Sequence, residues 1–290
     1  MNIYALQTAR AGSKSVPDKN IKKIQGKPLY LHNILHASKC SLIKKVYCST
    51  DCPTIKKGSS QYDFEIIDRP EHLCGDNASH RDTLEHGLLE IEKRNNETVD
   101  ALVVLLGNSL SAFTEDLNEA INILDDNTDG VMSVSEFNMF NCFRAYKKSG
   151  EYLDTFVPQK FIKENAVKKN INDKASSGDT YFFNGSFWVC RREYITHKKG
   201  LEPFNWLGNK IKPLVQDTHM EITTHACSRR LGSHRTDRQV GVTNTTKNQA
   251  NRDVQIRSLH SDQRRENLYL QSPGGLRKER GERRRGCPCT

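Results

Sequence analysis

Ile3-Tyr4-Ala5-Leu6-Gln7-Thr8-Ala9-Arg10-Ala11-Gly12-Ser13-Lys14-Ser15-Val16-Pro17-Asp18-Lys19-Asn20 is the stretch that sets the fold. Its apolar start reads as a buried strand, and its second half is a loop of small residues with three cationic side chains. Beyond it, Pro28 opens a helical pattern in which Leu29, Leu31, Ile34, Leu35 and Ala37 share one broad face. In open α/β sheets, ligands bind at the carboxyl ends of the strands. Gly12 and Ser13 let the backbone approach an anion, while Arg10, Lys14 and Lys19 supply charge. The competing reading is a solvated basic loop.

The pattern repeats downstream. Ile43–Thr50 is a second strand ending in Asp51, a residue that either caps the next helix or faces a ligand. A weak helix over 54–62 leads to a short strand over 64–67. Ser79 is placed to cap a helix, with Asp82 three residues on. That helix runs to about Lys93 with Leu84, Leu88, Leu89 and Ile91 facing inward. Ala101-Leu102-Val103-Val104-Leu105-Leu106 is a continuous apolar run, the signature of a central parallel strand. Thr114 is expected to cap a helix carrying Leu117, Ala120, Ile121 and Leu124, and Gly130–Val134 is the next strand. Tyr181–Cys190 is a late strand interrupted by Gly185. This alternation predicts an α/β architecture, a mostly parallel twisted sheet flanked by helices. The aromatic segment 137–146 is expected to be an outlying strand or a contact with a second copy, and the polar segment 163–180 a mobile loop.

The net charge of +9 points at first to a polyanion partner. Its distribution removes that reading for most of the chain. Residues 223–290 hold 15 Lys+Arg against 6 Asp+Glu, so residues 1–222 hold 29 of each. The first 222 residues therefore form a neutral domain suited to gripping a small anion locally. The tail over 223–290 has few apolar residues and no period, a composition that reads as disordered. Glu266-Asn267-Leu268-Tyr269-Leu270-Gln271-Ser272 resembles a tag-removal protease site, and the character changes abruptly at residue 222. The tail is read as an appended or out-of-frame segment, with a nucleic-acid-binding tail as the alternative. The nine cysteines show no paired C-x-x-C units, which argues against zinc and for free thiols in a reducing cytoplasm. No run approaches the ~18 apolar residues of a membrane span.

Four blocks then combine. Ala9-Arg10-x-Gly-Ser13-Lys14-x-x-Pro17-x-Lys19-Asn20, Gly26-Lys27-Pro28-Leu29, Ser49-Thr50-Asp51 and Arg69-Pro70-x-x-Leu73-x-x-Asp76-x-Ala78-Ser79 lie in order within residues 2–135. Together they resemble the acylneuraminate cytidylyltransferases, or CMP-sialic acid synthetases; Asn184-Gly185-Ser186 and Gln216-Asp217 resemble later blocks of that family. The resemblance implies a Rossmann-like nucleotidyltransferase fold and a homodimer. It also implies transfer of CMP from CTP to an acidic sugar, sialic acid or a related nonulosonic acid, with release of pyrophosphate and with Mg²⁺ as cofactor. It places Arg10 and Lys19 in catalysis on the phosphates. Ala9, Gly12, Ser13, Asn20, Arg69, Asp76, Ala78 and Ser79 fall at the nucleotide, and Asn108 and Asn184 at the sugar. Asp217 and His219 fall at the metal. Three departures stand out. Gly107-Asn108-Ser109-Leu110-Ser111 replaces the family's Gln-Pro-Thr-Ser-Pro, His219 replaces a second aspartate, and Phe182 stands where a basic residue often meets the sugar carboxylate. The alternatives are a cytidylyltransferase for another sugar acid, such as 3-deoxy-octulosonate, and a non-catalytic nucleotide- or sugar-binding homologue.

Overall fold

The computed structural model describes residues 1–12, 16–137, 141–173, 175–197 and 199–216. In chain order, β1 (Ile3–Thr8) leads through the basic loop to the hairpin β2 (Lys23–Ile24) and β3 (Lys27–Pro28). Helix α1 (Leu29–Ala37), β4 (Val46–Thr50), α2 (Pro53–Gly58) and β5 (Glu65–Asp68) follow. Next come α3 (His80–Asn95), β6 (Ala101–Leu106), α4 (Thr114–Asn122) and β7 (Gly130–Glu136). The hairpin β8 (Tyr146–Ser149) and β9 (Tyr152–Thr155), α5 (Gln159–Asn165), β10 (Tyr181–Arg191), α6 (Arg192–His197) and β11 (Ile211–Val215) complete the elements.

Seven strands form one sheet in the order β11-β7-β10-β6-β1-β4-β5. The predicted central run is β6, which pairs parallel with β1 from Ile3↔Ala101 to Thr8↔Leu106. Ala101 through Leu105 are wholly buried because both faces of the sheet are covered. On one face, Ile3, Ala5, Val103 and Leu105 pack against Leu31 and Ile34 of α1 and Leu117 and Ile121 of α4. On the other, Tyr4, Leu6, Leu102 and Val104 pack against Leu84, Leu88 and Ile91 of α3. Helix α3 sits so close to β1 that a Cβ at Gly87 would lie 2.4 Å from Leu6 Cδ2. Among the described residues, no helix is long and apolar enough to cross a membrane.

The sheet is mostly parallel as expected, and two expectations shift, at Leu89 and at Thr114. Strand β10 runs antiparallel to both of its neighbours, β6 and β7. The cause is where the chain re-enters. The Phe137 N–H donates to the Thr180 carbonyl at 2.9 Å and Tyr181 pairs with Glu136, so β10 starts at the carboxyl end of β7 and runs back. Leu89 is about half exposed, because it lies roughly 100° around the helix from Leu88. Thr114 does not cap α4; its hydroxyl donates to the His36 carbonyl at 2.9 Å, and Phe113 occupies the cap position. Within segment 163–180, the Val167 N–H donates to the Ser176 carbonyl at 2.8 Å. Ser79 does cap α3, accepting from the Asp82 N–H at 3.3 Å.

Candidate active site

The carboxyl ends of β1, β4 and β6 converge on the loop that begins at Ala9. The Ala9 N–H donates to the Ser49 carbonyl at 3.1 Å, extending the β1–β4 ladder past the strand end. The Thr50 hydroxyl donates to the Ala9 carbonyl at 2.6 Å. Gly107 admits this crowding, since a Cβ there would come 2.8 Å from Ala9 Cβ and 3.0 Å from the Thr8 carbonyl oxygen. The Ala11 N–H donates to Asp51 Oδ1 at 2.7 Å, so Asp51 anchors the loop and does not cap α2. Gly12 then takes φ 69°, a left-handed conformation that favours glycine. The Asn20 amide closes the loop by donating to the Arg10 carbonyl at 2.9 Å.

Arg10 is the hinge of this arrangement. Its guanidinium donates to the Cys74 carbonyl at 2.8 Å and to Asp76 Oδ1 at 2.6 Å, with about a third of each paired side chain exposed. Lys19 is half-buried nearby; burial, and then the positive charge of Arg10, hold its ammonium below the usual lysine range. Two like charges held together without full neutralisation suit a polyanion of higher charge. Arg69 is fixed from behind, with Nε donating to Ser49 Oγ at 3.1 Å and a terminal nitrogen to the Ser49 carbonyl at 2.7 Å. The turn after Arg69 carries Asp76 and Ala78 to Ser79, the cap of α3. The structure thus brings together Ala9, Arg10, Gly12, Lys19, Asn20, Arg69, Asp76, Ala78 and Ser79 from separate sequence blocks. Ser13, Asp217 and His219 lie outside the described residues.

Asn108 leaves the end of β6 half-buried, and among the described residues its side chain has no hydrogen-bond partner. Asn184 is placed differently. It is buried in the β10 bulge, where Nδ2 donates to Gln216 Oε1 at 2.8 Å and to Ser135 Oγ at 3.3 Å. Its Oδ1 accepts from Ser133 Oγ at 2.9 Å and from the Ser186 N–H at 3.2 Å. Gly185, at φ 80°, makes the bulge that turns Asn184 inward.

Two features escape sequence reasoning. The first is an aromatic cluster beside α3, in which Phe183 stacks on Trp188 at 4.4 Å and Phe204 and Trp206 pack at 5.4 Å from Trp188. His80, next to the cap residue Ser79, lies 5.7 Å from both tryptophan rings. Burial, and then the charge of Arg69, push the His80 pKa down to about 4, so the ring is neutral. His80 Nε2, Trp188 Nε1 and Trp206 Nε1 are buried without hydrogen-bond partners among the described residues. The second is the bracing role of Gln216, quoted above only within the Gln216-Asp217 block; its amide links β11 to α4 and to the loop after β6. The contributing positions are scattered along the chain with no period to reveal them. Among the described residues, no group of three or more His, Cys, Asp or Glu side chains is placed to hold a metal ion.

A mostly parallel sheet with Arg10 and Lys19 on a loop at its carboxyl edge is the arrangement of an α/β protein that grips a phosphorylated ligand. The family model described as cytidylyltransferase matches residues 5–196, and the chain belongs to that family. It is similar to CMP-N,N'-diacetyllegionaminic acid synthase of Legionella pneumophila subsp. pneumophila, at 26% identity over 222 residues, 76% of this chain and 89% of that one. It is also similar to N-acylneuraminate cytidylyltransferase A of Danio rerio, at 29% identity over 151 residues, 52% of this chain and 34% of that protein. Among solved structures, a CMP:2-keto-3-deoxy-manno-octonic acid synthetase complexed with CTP shares the fold, with a TM-score of 0.54 at 15% identity. That alignment covers 80% of this chain and 97% of the other.

Proposed function

We propose that this cytidylyltransferase transfers CMP from CTP to an N-acylated nonulosonic acid and releases pyrophosphate. The observation that carries the reading is the loop of Arg10, Lys19 and Asn20 folded over the ends of β1 and β4, with Arg69 and the Asp76–Ser79 turn beside it. In the step, the anomeric hydroxyl oxygen of the sugar bonds to the α-phosphorus of CTP. The bond from that phosphorus to the bridging oxygen breaks, pyrophosphate leaves, and the hydroxyl proton passes to solvent. Negative charge grows on the α-phosphoryl and leaving oxygens, which is where Arg10 and Lys19 act. Ala9, Gly12, Ser13 and Asn20 hold the phosphates and ribose, and Arg69, Asp76, Ala78 and Ser79 the nucleoside.

Support for the acylated class of acceptor comes from the relatives, CMP-N,N'-diacetyllegionaminic acid synthase and N-acylneuraminate cytidylyltransferase A, whose names carry N-acylated acids. Asn108 faces the sugar hydroxyls. Mg²⁺ is proposed from the Asp217 and His219 pattern alone; the described residues make no metal site by themselves, and no step here depends on one. Two copies of the chain acting in the cytoplasm complete the reading. Phosphorus NMR of a reaction with CTP, Mg²⁺ and a panel of nonulosonic acids tests it. A phosphodiester signal with one equivalent of pyrophosphate is expected for an N-acylated acceptor; CTP left intact with every acceptor by a folded chain overturns it.

A further inference from the structure

The amide of Gln216 joins three segments that leave the carboxyl side of the sheet. Its Nε2 donates to the Ser111 carbonyl at 2.8 Å and to Asp116 Oδ2 at 2.5 Å. Its Oε1 accepts from Asn184 Nδ2 at 2.8 Å, and its own backbone N–H donates to the Val134 carbonyl at 2.8 Å. Two donors and one acceptor thus meet two acceptors and one donor, a pattern that glutamine satisfies at this reach and that glutamate, with no donors, does not. Loop 107–112 after β6 is held on one side by Asn33 of α1, whose Oδ1 accepts from the Ala112 N–H at 3.3 Å. Within the loop, Ser109 Oγ contacts Ser111 Oγ at 3.0 Å. On the other side, Gln216 is its link to β11. Asn108 is half-buried and has no side-chain hydrogen-bond partner among the described residues, so the path of the loop backbone governs where its amide is presented.

We propose that Gln216 is a positioning residue that holds loop 107–112, and through it Asn108, where the acceptor sugar acid is bound. The inference rests on the function proposed above. In this reading Asn184 acts through Gln216, its amide being engaged inside the sheet. Among the described residues, the partners of Gln216 are Ser111, Asp116, Asn184 and Val134, and none of these belongs to the phosphate loop, so the effect is expected on the acceptor more than on CTP.

Two variants separate positioning from stability. Gln216→Glu removes both donors and sets a second carboxylate against Asp116. D116N/Q216E restores a donor–acceptor pair between those side chains but leaves the Ser111 carbonyl without its donor. The expected result is a rise of about tenfold or more in KM for the sugar acid in both variants, with KM for CTP within about threefold of wild type. Thermal stability should be recovered in the double variant only. Amide exchange at Ser109 and Ala112, read without substrate, should quicken by about tenfold in both while β6 is unchanged. Wild-type KM for the sugar acid in either variant overturns the proposal, as does unchanged exchange in the loop. If Gln216→Glu does not fold, the double variant decides alone. If the wild-type chain releases no pyrophosphate, the proposed function fails, and the exchange measurement still judges the brace.

Discussion

Arg10 reaches the site already bonded to the Cys74 carbonyl and to Asp76, so a nucleotide must recruit a guanidinium that is aimed but partly neutralised. Exposed pairs of this kind contribute about 0–1 kcal/mol to stability, whereas lost stabilisation of transition-state charge costs several. Arg10→Ala and Lys19→Ala are therefore each expected to lower kcat/KM by at least about a hundredfold, with urea midpoints that shift stability by no more than about 1 kcal/mol. Steady-state pyrophosphate release together with urea titration checks both halves. His80 carries a different consequence. It is neutral in the fold down to a pH of about 4, whereas an unfolded histidine titrates near 6.5. Between those values the unfolded chain binds more protons, so stability falls on acidification through that window and levels off below it. The slope is at most about 1.4 kcal/mol per pH unit, or about 2–3 kcal/mol across the window. His80→Phe fits the aromatic cluster and is expected to remove most of that slope in urea melts taken at pH 7, 5.5 and 4.5.

At the scale of elements, the site depends on how closely β1 and β6 approach where they end. Gly107 is the contact point, and Gly107→Ala sets a methyl 2.8 Å from Ala9 Cβ and 3.0 Å from a backbone oxygen. A cost of about 1–3 kcal/mol is expected from such overpacking, with turnover falling more steeply than stability because the Ala9 loop is displaced. A thermal melt beside a kcat measurement tests this. The elements differ in how plainly the chain announces them. Strand β6 is legible because both its faces are buried, which forces an unbroken apolar run. The start of α3 is legible because Ser79 and Asp82 stand at capping distance in sequence. The direction of β10 is not legible, since it depends on which end of the sheet the chain returns to. Leu89 misleads for a simpler reason: an apolar residue on a charged face has the same letter as one in the core.

For the whole molecule, the net charge belongs to a segment apart from the described sheet, and the site itself is a local anion grip in a neutral domain. Ending the chain at residue 222 is expected to leave kcat within about twofold, as measured by pyrophosphate release. The hairpin β8–β9 and its exit expose Tyr152 at 78%, Leu153 at 71% and Phe156 at 65%. Apolar side chains gathered this way suit the contact between two copies proposed above. Sedimentation should show a dimer that Tyr152→Lys with Leu153→Lys converts to monomer. The candidate phosphate loop was readable because its residues fall within a dozen positions. The aromatic cluster and the Gln216 brace were not, because their contacts join positions more than 100 residues apart. Cytidylyl transfer driven by that loop is tested by continuous pyrophosphate release from CTP with an N-acylated nonulosonic acid, comparing wild type with Arg10→Ala. Release that requires both substrates and is lost in the variant is expected; no release from the wild type, or equal release from both, would rule out transfer by this loop.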